Sequence, residues 1–198
     1  MKKMKVVVTV LFVFIGVQAA LAQASVGIGL KAGLNFANIS TTSAVATYNS
    51  STGYHAGAFL KIKMTKFAIQ PEVIYSKQGS VASFAGVNYE SQLDYINIPV
   101  MLKFYLVSGL NLQAGPQFGF LASATGPGPT GAIVDIKNQL KGTDISIGLG
   151  AGFDIKKLSI DARYNLGISE VNDVAGSAAA KNQVFQLSLG FQLFKLGN

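Results

Sequence analysis

From residue 143 to 169 the chain reads TDISIGLGAGFDIKKLSIDARYNLGIS, and its apolar and polar positions alternate almost without a break. Ile145, Ile147, Leu149, Ala151, Phe153 and Ile155 interleave with Ser146, Gly148, Gly150, Gly152 and Asp154. After Lys156-Lys157 the pattern resumes in phase, with Leu158, Ile160, Ala162, Tyr164, Leu166 and Ile168 against Ser159, Asp161, Arg163, Asn165 and Gly167. A period of two sustained this long specifies β-strands, and no helical stripe fits it. Pairing Ile155 with Leu158 sets every apolar residue beside an apolar partner. On the other face it sets Gly152 opposite Asp161, Gly150 opposite Arg163 and Gly148 opposite Asn165. Glycine opposite a bulky polar side chain suits a narrow interior filled by polar groups, with an uninterrupted apolar exterior, as in a transmembrane β-barrel.

The same alternation predicts strands over 27–39, 53–63, 67–76, 91–106 and 110–121, and a last strand in which Phe185, Leu187, Leu189, Phe191 and Leu193 form the apolar face. Ile62 is expected opposite Phe67, which places Gly57 opposite Glu72 and Tyr54 beside Tyr75. Segments 40–52, 77–90, 122–142 and 170–182 are rich in Ser, Thr, Ala, Gly and Asn and are expected as loops. The third contains GPGPTG and is predicted to lack regular structure. Short connections at 63–66, 107–109 and 156–157 alternate with these long ones. The fold class expected is all-β: an eight-stranded antiparallel up-and-down transmembrane β-barrel with short periplasmic turns and long external loops. Phe67, Phe104 and Phe153 at one end, and Tyr54, Tyr75 and Phe120 at the other, suit interfacial girdles. Pro71, Pro99 and Pro116 fall inside strands, so bulges or breaks in pairing are expected there.

Residues 1–22 carry Lys2, Lys3 and Lys5, an apolar run over 6–17 and Ala20-Leu21-Ala22, the pattern of a cleaved signal peptide. Residues 23–198 are then the barrel domain. Charged residues make up 13% of the chain, low beside the roughly 25% of soluble domains. Without the three leader lysines the formal charge falls from +7 to +4, and the remaining basic residues are scattered in the sequence. Nucleic-acid binding has no support in that pattern. The absence of cysteine removes disulfides and thiolate metal sites. A soluble lipocalin-type barrel would show the same alternation with its faces exchanged. The polar face here is dominated by Gly, Asn, Gln and Ser, where a solvated outer face would be rich in Lys, Glu and Thr, and there is no tryptophan, so the membrane barrel is the better reading.

The segments GLKAGLNFANIS (29–40), QPEVIYSKQG (70–79), LDYINIPVMLKFYL (93–106) and LQAGPQFGFLAS (112–123), together with the 143–169 hairpin, resemble the PorT-like outer-membrane β-barrel family. The resemblance extends over essentially the whole chain after residue 22. It implies an eight-stranded barrel exported to the outer membrane, and prolines in family-typical positions. The family's namesake assists a secretion system, and no catalytic or ligand residue carries over.

Candidate chemistry is sparse. His55 is the only histidine, and Ser76 and Asp94 stand on strands from which they could approach it as a hydrolase triad. GLGAG (148–152) lies mid-strand, where no helix N-terminus follows to make a phosphate loop. One histidine without cysteine offers no metal site, and no cofactor is expected. Lys31, Lys61, Glu72, Lys103, Asp154, Asp161 and Arg163 all point inward by alternation, either as a charged conduit or as a plug of ion pairs. An eight-stranded barrel is just wide enough for its side chains to fill, which favours the plug. The expected function is therefore a non-enzymatic envelope-interaction or secretion-accessory barrel, surrounded by outer-membrane lipid and meeting other envelope or secretion proteins through its long loops. The alternatives are transport of small solutes through a narrow lumen and, third, an outer-membrane hydrolase using His55.

Overall fold

The computed structural model describes residues 24–41, 47–84, 87–128, 132–169 and 180–197; the expected leader at 1–22 lies outside them. Its strands are β1 (Ser25–Thr41), β2 (Thr47–Met64), β3 (Phe67–Phe84), β4 (Val87–Tyr105), β5 (Leu110–Pro127), β6 (Ile133–Asp135), β7 (Thr143–Ile155), β8 (Leu158–Gly167) and β9 (Ala180–Leu196). All pair antiparallel. Consecutive strands neighbour one another, β5 pairs with β7, and the β1–β9 pairing closes the ring. The short β6 hangs from the far end of β5. Eight strands thus form a closed barrel with no free edge in its wall.

The β7–β8 hairpin has the expected register throughout, from Ile155↔Leu158 through Gly152↔Asp161 and Gly150↔Arg163 to Gly148↔Asn165. The β2–β3 hairpin differs by two residues: Met64 pairs with Phe67 and Ile62 with Ile69, so Gly57 lies opposite Ile74 and Phe59 opposite Glu72. A slip of two preserves which face each residue occupies, so Tyr54 and Tyr75 still meet, with ring centroids 6.3 Å apart. The turn is correspondingly tighter, Thr65-Lys66 alone. Between β4 and β5, Ser108 and Gly109 both take positive φ, 42° and 95°. That is the turn chirality matching the twist of a hairpin, and glycine adopts it without strain.

Apolar side chains face outward and polar ones inward. Leu30, Leu149 and Leu189 are exposed, whereas Lys31, Glu72 and Arg163 are buried. Phe67 and Phe104 stack at 5.1 Å near the short turns, and Tyr54 and Tyr75 mark the opposite rim. From Phe67 to Tyr75 the strand rises roughly 27 Å at about 3.4 Å per residue. A tilt of about 40° reduces this to roughly 21 Å, near the apolar band of about 25 Å in such barrels.

Each proline interrupts the ladder on one side only. Pairing lapses between β2 and β3 beside Pro71, between β3 and β4 beside Pro99, and between β4 and β5 beside Pro116. On their other sides Pro71↔Val100, Pro99↔Gln117 and Pro116↔Ile147 remain paired. One missing N–H removes bonding toward one neighbour, and the register resumes unchanged beyond each gap. The register shifts lie elsewhere, between Ile28 and Gly29, Ser50 and His55, and Asp94 and Tyr95. In the last, Ala122 is the extra residue of β5, which explains why the alternation loses phase after Leu121.

Three of the expected loops are corrected where the structure describes them. The 40–52 and 77–90 segments are largely strand: β1 reaches Thr41, β2 starts at Thr47, and the β3–β4 ladder runs to Phe84↔Val87. A ladder already fixed by the barrel extends at little nucleation cost, and Val81, Phe84, Val87 and Tyr89 supply β-propensity. From Ser76 to Phe84 this ribbon extends roughly 27 Å along the strand beyond the tyrosine rim at about 3.4 Å per residue. The 122–142 segment is regular too. β5 continues to Pro127, Ile133–Asp135 folds back on it, and a 3-10 turn Lys137–Gln139 follows. Gly126 and Pro127 of the GPGPTG motif belong to β5, Gly128 N donates to Ala132 O at 2.8 Å, and residues 129–131 lie outside the described residues. Of the fourth loop, residues 170–179 lie outside the described residues, and β9 already begins at Ala180.

Candidate functional site in the barrel lumen

The inward positions of β1–β5 and β7–β9 converge on one column of side chains. Its centre is a chain of alternating charges: Arg163, Glu72, Lys31, Asp161, Lys103, Asp154 and Lys61. Arg163 holds Glu72 with both terminal nitrogens, Nη2 to Oε1 at 2.9 Å and Nη1 to Oε2 at 3.2 Å. Lys31 Nζ bridges Glu72 Oε1 at 2.9 Å and Asp161 Oδ2 at 3.1 Å. Lys103 Nζ bridges Asp161 Oδ1 at 2.9 Å and Asp154 Oδ1 at 3.9 Å. Lys61 closes the chain on Asp154 Oδ2 at 2.7 Å. The structure thus brings the seven charges expected inside into one network; a further buried carboxylate, Asp144, stands apart from it and accepts from the Ser169 hydroxyl.

Neutral groups complete it. Gln70 donates to Glu72 at 2.8 Å, Gln113 donates to Asp161 at 2.8 Å, and Arg163 donates to the Gln113 carbonyl at 3.0 Å. The Tyr105 hydroxyl donates to Asp154 at 2.7 Å. Gln70 and Tyr105 were not singled out from the sequence, although their parity with Glu72 and Lys103 carries the signal. Burying charge is tolerable only where partners satisfy it, and each carboxylate here meets at least two cations. The hairpin glycines make the room. A Cβ on Gly152 would sit 2.3 Å from Asp161 Oδ1, and one on Gly148 2.8 Å from Asn165 Oδ1 and 3.2 Å from Arg163 Cδ. Gly150 serves differently, because a Cβ there would strike the Ala162 carbonyl at 2.3 Å.

Toward the long-loop end lies a neutral layer containing His55. Its Nδ1 is 2.7 Å from Asn35 Oδ1, and its Nε2 is 2.9 Å from Ser188 Oγ. Asn35 Nδ2 faces the carbonyls of Tyr54 and Lys77, so Oδ1 is the acceptor and His55 carries its proton on Nδ1. Nε2 then accepts from the Ser188 hydroxyl. Ser76 does stand directly opposite His55 in the β2–β3 ladder, but the His55 ring bonds Asn35 and Ser188 instead, and the expected approach of Asp94 is not found. Ser76 Oγ accepts from Asn35 and Gln78, and Asp94 alternates onto the face opposite buried Leu93 and Tyr95, where it bonds Tyr75. Ser188, His55 and Asn35 have the spacing of a nucleophile relay, but the orienting group is a neutral amide and Ser188 is 6% exposed. Among the described residues no group of three or more His, Cys, Asp or Glu side chains is placed to hold a metal ion.

Beyond this layer an apolar cluster fills one side of the lumen, beside the buried polar side chains of Gln78, Asn182 and Asp144. Leu93, Tyr95, Leu121 and Ala124 form a buried cluster, and Ile136 and Leu140 from the 122–142 segment pack on it. At the opposite, short-turn end, lysines that are scattered in the sequence gather: Lys61, Lys63, Lys66, Lys156, Lys157 and Lys195.

The family described as "Outer membrane protein beta-barrel domain" matches residues 21–173. Among solved structures, Neisserial surface protein A (NspA) is similar with a TM-score of 0.57 at 15% identity, covering 85% of this chain and 99% of that one. Ail, the attachment invasion locus protein of Yersinia pestis, crystallised with the heparin analogue sucrose octasulfate, has a TM-score of 0.52 at 14% identity, covering 86% and 99%. Identities this low speak for the fold alone. No curated protein matches the chain. The closed ring, its apolar wall and polar core, and the family match agree: this chain belongs to the outer membrane protein beta-barrel domain family and resides in the outer membrane.

Proposed function

We propose that the protein is a closed, non-enzymatic barrel of the PorT-like kind, acting as an envelope-interaction or secretion-accessory protein through its outer ribbons. The observation that carries this is the seven-member charge chain across the lumen, which leaves the wall as an anchor and the ribbons as the working surface. Outer-membrane lipid surrounds the apolar wall, and the partners are other envelope or secretion proteins reached through the β1–β2, β3–β4 and β5–β7 connections. Against hydrolysis stand the buried Ser188 and the neutral Asn35 behind His55. The test replaces residues 79–92 by a two-residue Asn-Gly turn, and incorporates a photo-cross-linker at Ser80 or Asn88 of the intact protein. Defined cross-links to an envelope protein, and a ribbon deletion that reproduces the phenotype of the null strain, are expected. A ribbonless barrel that behaves as wild type would refute the reading.

A further inference from the structure

The chain's positive charge is unevenly placed. Six lysines stand at the short-turn end, at 61, 63, 66, 156, 157 and 195, against one acidic side chain among the described residues, Asp154. Asp154 is already engaged by Lys61 at 2.7 Å and by the Tyr105 hydroxyl at 2.7 Å. Lys63 Nζ rests 3.9 Å from the centre of the Tyr105 ring. A ring face positions an ammonium without cancelling its charge. Among the described residues no carboxylate pairs with Lys63, Lys156 or Lys195. These three, with Lys61, line a cavity of about 460 Å³ in the mouth of the barrel, and Ser25, Thr65 and Gln192 add hydroxyl and amide groups to its wall.

We infer that this mouth is a binding site for a phosphate-bearing anion, held by Lys63, Lys156 and Lys195 over a floor made by the Lys61–Asp154–Tyr105 cluster. Three uncompensated ammonium groups around one cavity call for a multiply charged oxyanion, since a single carboxylate would leave most of that charge facing itself. Ammonium groups bind phosphate as point charges without demanding a fixed fork. The volume lies within the range of small-ligand sites, about 300–1,000 Å³. The phosphate can be carried by a soluble monoester or by the monoester headgroup of phosphatidic acid reaching over the rim.

The test uses the full barrel refolded in zwitterionic detergent and titrated calorimetrically with glycerol 1-phosphate and with inorganic pyrophosphate. A second arm uses nanodiscs of phosphatidylcholine with and without phosphatidic acid, followed by native mass spectrometry. Lys63→Gln/Lys195→Gln is compared throughout, its fold checked by unfolding midpoint. Saturable binding of a soluble phosphate that weakens at least about tenfold in the double variant supports the site and makes the source soluble. Retention of phosphatidic acid alone, lost in the variant, supports it with a headgroup as the source. No saturable binding in either arm, or binding unchanged in the folded variant, overturns it.

Discussion

Arg163 shows what a buried charge in this lumen depends on. Its fork on Glu72 is inaccessible to solvent, so removing the guanidinium strands a carboxylate with Lys31 as its one remaining cation. Arg163→Leu should destabilise the barrel by about 3–5 kcal/mol in equilibrium unfolding from bilayers. Adding Glu72→Gln should recover part of that loss; a double variant no better than the single would show the two are uncoupled. Gly150 makes a separate point. From sequence, its bareness reads as space for the Arg163 side chain, whereas the structure shows close approach to the Ala162 carbonyl. Backbone cannot yield as a side-chain tip can, so Gly150→Ala should cost roughly 1–3 kcal/mol by crowding. Gly142→Ala, with nothing within 4 Å of the new carbon, should change stability by less than about 0.5 kcal/mol. Equal effects in the two unfolding curves would contradict this.

Among the elements, the hairpins were legible in proportion to their alternation. β7 and β8 announce their register because glycines and bulky polar residues match across the whole hairpin. β2 and β3 offer no such matching, and a slip of two leaves both faces correct, so pattern alone could not choose between registers. The ribbons were missed for a different reason. Ser, Gly and Asn mark loops when strands must nucleate alone, but here a closed ladder carries pairing outward into them. The folding-back of 122–142 was hidden by the Ala122 bulge, which reverses the alternation just where the strand continues. Two predictions belong here. Leu149 lies near mid-wall, and Leu149→Arg should cost about 2–4 kcal/mol, whereas Ile155→Arg at the short-turn rim should cost about 0–1 kcal/mol. Unfolding in bilayers that ranks them the other way would misplace the membrane. Ile136→Asp should loosen the cover over Leu93 and Tyr95, since an unpaired charge resists burial there. Proteolytic clipping between residues 122 and 142 should then quicken while the barrel stays folded; an unchanged clipping rate would detach Ile136 from that cluster.

Across the whole molecule the lumen is layered: a basic mouth at the short turns, an ionic chain, a neutral layer around His55 and, beneath the outer ribbons, an apolar cluster beside buried Gln78, Asn182 and Asp144. The sequence displayed the inward charges individually, because parity alone sets their face. It could not display their alternating order, which depends on strand stagger around the ring, nor the gathering of distant lysines at one mouth. The central claim is that these layers close the barrel to solutes. Planar-bilayer recording tests it most directly, with the refolded protein in molar KCl. The account predicts that the wild-type barrel stays at the baseline of the bare membrane, while Lys31→Ala/Asp161→Ala, which cuts the charge chain at its middle, opens discrete conducting events. Steady ohmic conductance of the wild-type protein, at the level of a water-filled pore, would contradict it.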